Sequence, residues 1–273
     1  MRLHSNAVFR LPQHRMIVRV GSGADAVGRA SRAVSIGGWL LASGYPAVVP
    51  VAGLGQPVVV NDAEGFRYAV TFWWEAAVEP APPISPSELG WLLRRLHDLP
   101  RPPVELPAFR PLDRLMGAVE ASSWLRESDR RWLSGRASEL EEAVAGAEFG
   151  LGPAGLVHGD AQLTNVLRVA GVGPVLADWD GVAVAPREWD LVPMAVEQRF
   201  GGSVELLAEL LSAYGSDPTG GSGWQVLRDM YELRSVAAHI RRAPVSPPHA
   251  VEAGRRLASL RCGDARARWF GVG

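Results

Sequence analysis

The sequence predicts an α+β protein in two lobes, and two patterns support this fold class. Short runs of β-branched and aromatic residues dominate the first quarter, whereas most of the remainder carries apolar stripes of helical length and spacing. The length of 273 residues exceeds the roughly 150 typical of one domain, which favours two lobes around a cleft. We expect a strand-rich N-lobe over residues 1–75 and a helical C-lobe over residues 76–273.

The N-lobe sequence predicts four strands and one helix. Pro12 and the three residues after it are typical of a turn between the first two strands, so two hairpins are the simplest arrangement. A helix-length apolar pattern lies between the hairpins and stops before Gly44, a residue that commonly follows a helix. The strands are expected at residues 7–11, 16–20, 57–60 and 66–73, and the helix at residues 30–43.

The C-lobe sequence opens with a proline-rich segment, residues 79–83, which predicts a linker. Ser85 then offers an N-cap, Pro86 the first helical position and Glu88 the third, so a capped helix is expected to begin here. His97 is interpreted as the end of that helix rather than as a catalyst. Further helices are expected at residues 128–145, 203–214, 224–242 and 249–260.

Composition excludes several classes of protein. The net charge of -1 supplies no general attraction for nucleic acid or an anionic membrane surface. All 28 basic residues are arginine, which excludes both a lysine-containing phosphate-binding loop and Schiff-base chemistry. The single cysteine, Cys262, excludes an internal disulfide and a cysteine-rich zinc site. We see no signal peptide and no apolar run approaching roughly 18 residues, so a cytoplasmic protein that spans no membrane is expected.

Chemistry is expected where short strands alternate with polar turns. Asp160 and Asn165 lie five residues apart across a tight loop, and Asp178 follows Asn165 by thirteen residues. A hairpin between the last two brings their oxygens together as ligands for a hard cation, with Asp160 nearby to accept a hydroxyl proton. Such a layout is typical of phosphoryl transfer. The strands of this segment are expected at residues 155–157, 165–169 and 175–177.

At these residues the sequence resembles the aminoglycoside phosphotransferase family, which shares a protein-kinase-like two-lobe fold with choline and homoserine kinases. The resemblance is carried by an H-G-D-x-x-x-x-N run at residues 158–165, L-A-D-W-D at residues 176–180 and P-R-E-W-D-L at residues 186–191. It implies an enzyme that uses Mg²⁺ and ATP, with GTP as the alternative donor, to phosphorylate a hydroxyl group of a small molecule.

The same resemblance implies roles for individual residues. Asp160 would be the catalytic base, and Asn165 and Asp178 would hold Mg²⁺ against the nucleotide. Arg19 lies on the strand where the family keeps a phosphate-binding lysine or arginine, and Trp74 lies in a segment that resembles the entry to the interlobe hinge. Both are therefore assigned to nucleotide binding.

Two departures from the family pattern motivate an alternative function. The predicted helix at residues 30–43 contains no acidic residue to pair with Arg19, and residues 2–6 are too few for a full strand-loop-strand over the phosphates. A kinase-like binding protein without turnover would tolerate both departures. The presence of Asp160 together with Asn165 and Asp178 favours the enzyme, because a pure binder needs no base.

The sequence leaves two interpretations open for some residues. Asp180 is either a second metal contact or a solvated loop carboxylate, and Arg19 is either a phosphate contact or a surface arginine on an edge strand. His158 is structural by the family resemblance. Asp190 is either a buried brace for the catalytic loop, as the resemblance implies, or a helix N-cap.

Two other nucleotide sites are rejected. Residues 21–26 match the glycine pattern of a dinucleotide-binding loop. Such a site requires an acidic residue at the end of the next strand, and none occurs between Ala26 and Asn61. The D-x-D run at residues 178–180 imitates the metal site of a sugar-nucleotide glycosyltransferase, but no doubly wound nucleotide-binding half precedes it.

The acceptor is expected to be a small hydroxylated molecule. Glu188, Glu197 and Glu232 either line an acidic pocket for a cationic antibiotic or are solvated helix residues. The resemblance favours an aminoglycoside, another antibiotic or a hydroxylated metabolite, in resistance or in metabolism. Neither a nucleic-acid partner nor a membrane partner is expected, and no pattern determines an oligomeric state.

Overall fold

The computed structural model describes residues 6–23, 25–79 and 81–272, which fall into two compact units. The first unit comprises Met1–Ala108 and Ala154–Ala185, and the second comprises Phe109–Pro153 and Pro186–Gly273. The α+β class is confirmed. The lobe boundary between residues 75 and 76 stays a prediction, and the predicted linker includes Pro80, which lies outside the described residues.

A four-stranded antiparallel sheet forms the start of the first unit, with strand order β1-β2-β4-β3. Both predicted hairpins are present, and β2 joins them by pairing with β4. In the register of this sheet, Arg19 lies between Val8 and Thr71. The strands are β1 Asn6–Leu11, β2 Met16–Ser22, β3 Val58–Asn61 and β4 Arg67–Trp74.

Helix α1, Ala26–Ala42, packs on the face of β4 that carries Trp73. A Cβ on Gly37 would lie 3.1 Å from the Trp73 ring, so glycine permits this close approach. The helix begins four residues before the predicted start. Its first turn contains Gly28, which obscured the apolar pattern there.

Helix α2, Pro86–His97, begins with the predicted capping box. The Glu88 amide donates to Ser85 Oγ at 3.2 Å, and the Ser85 amide donates to Glu88 Oε2 at 2.9 Å. Four leucines on one stripe are fully buried, as the spacing predicts. They are Leu89, Leu92, Leu93 and Leu96.

Two short antiparallel pairs carry the segment where chemistry is expected. The hairpin of β6 and β7 bonds through its Leu176 amide to the Pro46 carbonyl oxygen at 3.0 Å, which fixes it beside the end of α1. The other pair includes a strand that the sequence did not predict, β8 at Ala183–Ala185. The pairs are β5 Gly155–Val157 with β8 Ala183–Ala185, and β6 Val166–Val169 with β7 Gly173–Leu176.

The second unit is helical. The predicted helix at residues 224–242 is two helices, because the Ser235 hydroxyl donates to the Glu232 carbonyl oxygen at 2.7 Å and competes with the helical bonding pattern. Helices α3 and α5 were not predicted. The helices are α3 Asp113–Ala121, α4 Glu127–Ala145, α5 Val192–Val196, α6 Val204–Tyr214, α7 Ser222–Arg234, α8 Ala237–Arg242 and α9 Pro247–Arg261.

Within the described ranges, no helix combines the length and apolar character that crossing a membrane requires.

Candidate active site

The loop that carries Asp160 is shaped by its two preceding residues. His158 is fully buried, and its Nε2 donates to the Ala177 carbonyl oxygen at 2.9 Å, which ties the loop to the end of β7. Gly159 has a φ of 81°, and a Cβ at this position would lie 2.0 Å from the Gly181 carbonyl oxygen. The H-G-D order therefore reflects a structural histidine and a glycine in a conformation that other residues rarely adopt.

Asp160 and Asn165 are joined across this loop. Asn165 Nδ2 donates to the Asp160 carbonyl oxygen at 2.8 Å, and Gln162 Nε2 donates to Asp160 Oδ1 at 2.9 Å. Because a carbonyl oxygen only accepts, the amide nitrogen of Asn165 must face it, and Asn165 Oδ1 points the other way. Sequence reasoning missed Gln162, although its position within the H-G-D-x-x-x-x-N run was the available signal.

Asp178 lies at the end of the hairpin, as predicted. The Ala177 amide donates to the Asn165 carbonyl oxygen at 2.8 Å, so the chain brings Asp178 next to Asn165. Asp178 has φ 67° and ψ 65°, a left-handed conformation that is uncommon for a non-glycine residue and concentrates at functional sites. The following Trp179 is fully buried against the His158 ring at 4.8 Å, which anchors this strained turn.

Arg19 reaches this turn from β2. Its Nη2 donates to Asp178 Oδ1 at 2.7 Å and to Asp180 Oδ2 at 3.1 Å. The Arg19 side chain is only 16% exposed, so it is not a surface arginine on an edge strand. Asp180 is 21% exposed and ion-paired, so the solvated-carboxylate interpretation is wrong as well.

Trp74 is the last residue of β4 and is 46% exposed. Side chains alternate along a strand, and the buried positions of β4 are Ala69, Thr71 and Trp73. Trp74 therefore faces away from the side of the sheet that Arg19 shares with Thr71. Its predicted nucleotide contact stays a prediction.

The oxygen donors fit a small hard cation. Asp178 keeps 42% of its side chain exposed, and within the described ranges Asn165 Oδ1 accepts no hydrogen bond. No group of three or more His, Cys, Asp or Glu side chains suited to a metal occurs among the described residues. A carboxylate plus an amide oxygen suits Mg²⁺, which usually takes one or two protein ligands and completes its shell with phosphates and water.

The carboxylates of the second unit are mostly engaged in structure. Glu232 is buried and pairs with Arg199 at 2.5 Å, and Glu188 is buried and accepts from the Leu151 amide at 2.8 Å. Neither is a solvated helix residue, and Arg199 and Arg228 both pair with Glu232 and balance its charge. Burial raises the pKa of Glu197.

Asp190 is also buried in the second unit, where it ends the turn Arg187–Asp190. The N-cap of α5 is Leu191, so the N-cap interpretation of Asp190 is wrong. Its role as a brace stays a prediction.

A family model described as the phosphotransferase enzyme family, APH, matches residues 3–229. The chain belongs to this family. As a member of the APH family it is an enzyme, a small-molecule phosphotransferase with an alcohol group as acceptor, and its fold is protein-kinase-like. No curated protein sequence matches the chain.

Solved structures are similar to the chain over nearly its full length. The amicoumacin kinase hAmiN in complex with AMP-PNP, Ca²⁺ and Ami has a TM-score of 0.72 at 12% identity, covering 99% of this chain and 89% of that one. A microcompartment-associated aminopropanol kinase has a TM-score of 0.68 at 18% identity, with coverages of 93% and 90%. A choline/ethanolamine kinase family protein from Mesorhizobium loti has a TM-score of 0.57 at 19% identity, with coverages of 95% and 85%.

Proposed function

We propose that this APH-family member uses ATP and Mg²⁺ to phosphorylate a hydroxyl group of a small amine-bearing molecule, such as an aminoglycoside, another antibiotic or a hydroxylated metabolite. The observation that carries the proposal is the bonded loop in which Asn165 Nδ2 holds the Asp160 carbonyl oxygen. This bond joins Asp160 and Asn165 within one loop, which supports their roles as base and cation ligand because phosphoryl transfer depends chiefly on positioning.

Asp160 acts as the general base. As the acceptor oxygen bonds to the γ-phosphorus, its proton passes to the Asp160 carboxylate, and the bond from phosphorus to the β–γ bridging oxygen breaks to release ADP. The hydrogen bond from Gln162 to Oδ1 orients this carboxylate toward the acceptor.

Asn165 and Asp178 hold Mg²⁺, and Arg19 and Trp74 contact the nucleotide. When bound, Mg²⁺ supplies neutralising charge for the phosphate oxygens. Arg19 adds a permanent positive charge within 2.7 Å of Asp178 and suits the oxygens of a phosphate. Nucleotides accompany two similar kinases, AMP-PNP in the amicoumacin kinase and ADP in a spectinomycin phosphotransferase, which supports a nucleotide donor here.

The acceptor class is supported by the acceptors that the names of similar kinases give. Amicoumacin kinase, spectinomycin phosphotransferase and aminopropanol kinase are named for different acceptors, so both antibiotics and small amino alcohols belong in a screen. A binding protein without turnover is the alternative, and the unusual partners of Arg19 are the observation that favours it.

Mass spectrometry of candidate acceptors incubated with ATP or GTP and Mg²⁺ tests the proposal. We expect a product heavier by one phosphate, and a loss of about 100-fold or more in turnover for Asp160→Asn. Asp98→Asn is the matched control, because Asp98 is an exposed carboxylate that pairs with Arg94 at the end of α2. Near wild-type turnover by Asp160→Asn would refute the role of Asp160.

Thermal unfolding with ATP or GTP, each with and without Mg²⁺, tests the proposed metal and nucleotide site without an acceptor. A ligand at 100 times its Kd stabilises by about 2.7 kcal/mol, which raises Tm by several degrees. We expect a Mg²⁺-dependent rise that Asp178→Asn abolishes. A nucleotide-dependent rise without product from any acceptor would instead support the binding protein.

A further inference from the structure

Arg19 has an unusual pair of partners for a phosphate-binding side chain on a kinase-like strand. Helix α1 contains no Asp or Glu between Ala26 and Ala42, so it offers Arg19 no acidic partner. Asp25, the residue before that helix, pairs with Arg32 at 2.8 Å. Arg19 instead bonds to Asp178 and Asp180, which lie 159 and 161 residues later.

One of these two partners is also the proposed cation ligand. A carboxylate oxygen that coordinates Mg²⁺ loses much of its attraction for a neighbouring guanidinium, because the cation neutralises its charge. Asp178 therefore cannot anchor Arg19 fully while it holds a cation. Asp180, which contacts the same Nη2 at 3.1 Å, remains as the anchor.

Arg19 also retains donors for a ligand. Both contacts use Nη2, and within the described part of the chain Arg19 Nη1 and Nε have no acceptor. A small cavity of about 10 Å³ lies beside Arg19 and Asp180, lined as well by Thr71 and Arg29. Arg19 is thus held by one nitrogen while others can bind phosphate oxygens.

We propose that Asp180 is a positioning residue that holds Arg19 for the nucleotide phosphates after Mg²⁺ takes Asp178, in place of an acidic residue on helix α1. This inference rests on the proposed function. It assigns Asp180 a role through Arg19 and not as a second metal ligand.

A double-mutant cycle on the Kd of ATP tests this assignment. Wild type, Asp180→Asn, Arg19→Met and the double variant are titrated with ATP in Mg²⁺ and in EDTA. We expect Asp180→Asn to weaken ATP binding about ten-fold in Mg²⁺ and less in EDTA, where Asp178 still holds Arg19. In the Arg19→Met background, Asp180→Asn should have no further effect, because its role acts through Arg19.

Asp25→Asn is the control, since it removes an exposed carboxylate of the same unit that does not contact Arg19. Tm measurements establish that each variant is folded. If Asp180→Asn is unfolded, Asp180→Glu replaces it, with binding within about three-fold of wild type expected because the charge is kept.

Three results would overturn the inference. Additive losses in the double variant would make Asp180 an independent ligand, and unchanged ATP binding by Asp180→Asn would leave it without a role. A loss of ten-fold or more with Asp180→Glu would show that its charge is not what matters. If the wild type binds ATP with Mg²⁺ and the losses of the variants are additive, this inference alone is contradicted. If the wild type binds no nucleotide, the proposed function is contradicted as well.

Discussion

Gly159 illustrates how one residue sets the geometry of the candidate site. Its backbone approaches Gly181 so closely that a Cβ would lie 2.0 Å from the Gly181 carbonyl oxygen, and a Cβ on Gly181 would lie 2.9 Å from the His158 carbonyl oxygen. The two glycines let the loop before Asp160 contact the turn after Asp178. The positive φ of Gly159 adds a second requirement for glycine.

A comparison of Gly159→Ala with Gly171→Ala separates the cost of the close contact from the cost of the positive φ. Gly171 also has a positive φ, 73°, but nothing lies within 4 Å of a Cβ there. Gly171→Ala should therefore cost only the backbone strain, about 1–2 kcal/mol. Gly159→Ala should lower the free energy of unfolding further and reduce turnover, because the loop must move away from Gly181. Denaturant unfolding of both variants measures this difference, and equal losses would contradict it.

At the scale of elements, the start of α2 supports the strand that follows Asn165. Glu88 completes the capping box and also pairs with Arg168 of β6 at 2.7 Å. The hydrogen bond from Arg168, assisted by the Ser85 amide, lowers the pKa of Glu88 below its usual value against the opposing effect of burial. The capping residues were evident from local sequence, whereas Arg168 lies 80 residues away and was not.

The capping box predicts a contrast between two Ser→Ala variants. Ser85→Ala removes the oxygen that accepts from the Glu88 amide, and should lower the free energy of unfolding by about 1 kcal/mol. Ser138→Ala, at an exposed position within α4, should be neutral or slightly stabilising because alanine favours helix. Equal effects of the two substitutions on denaturant midpoints would show that the cap contributes little.

At the scale of the whole molecule, two buried histidines of the second unit bear on how stability changes with pH. His239 and His249 are buried with their Nδ1 atoms 3.0 Å apart. Burial lowers the pKa of His239 to about 4, and the positive charge of Arg256 and the neighbouring His249 contribute. Folded His239 is therefore neutral over a pH range in which an unfolded histidine becomes charged.

This pKa predicts an acid-dependent loss of stability. Below about pH 6.5 the unfolded chain binds a proton that folded His239 does not, so stability falls as pH decreases from about 6.5 to about 4. His239→Asn should make Tm depend less on pH across this window. His14→Asn, which alters an exposed histidine, should leave the dependence unchanged. If the Tm of His239→Asn changes with pH as steeply as that of the wild type, other groups cause the pH dependence.

Local patterns determined most elements of this protein. Alternating β-branched residues located β1 to β4 within two residues, and the capping box located the start of α2. The short elements β8, α3 and α5 were missed, because three to nine residues carry too little periodicity to be distinguished from loops. The break between α7 and α8 lies at Ser235, whose hydroxyl donates to the Glu232 carbonyl oxygen and which also accepts from Arg256 of α9.

The sequence by itself located the candidate site, through the spacing of Asp160, Asn165 and Asp178. These residues belong to one loop and one hairpin, and local hydrogen bonds bring them together. Tertiary structure alone decided which acids pair with Arg19. Asp178 and Asp180 are 159 and 161 residues from it along the chain, and no local pattern encodes such a contact. The physical reason is that hydrogen bonds within a turn follow from neighbouring residues, whereas an ion pair between distant segments depends on how the sheet and the hairpin pack together.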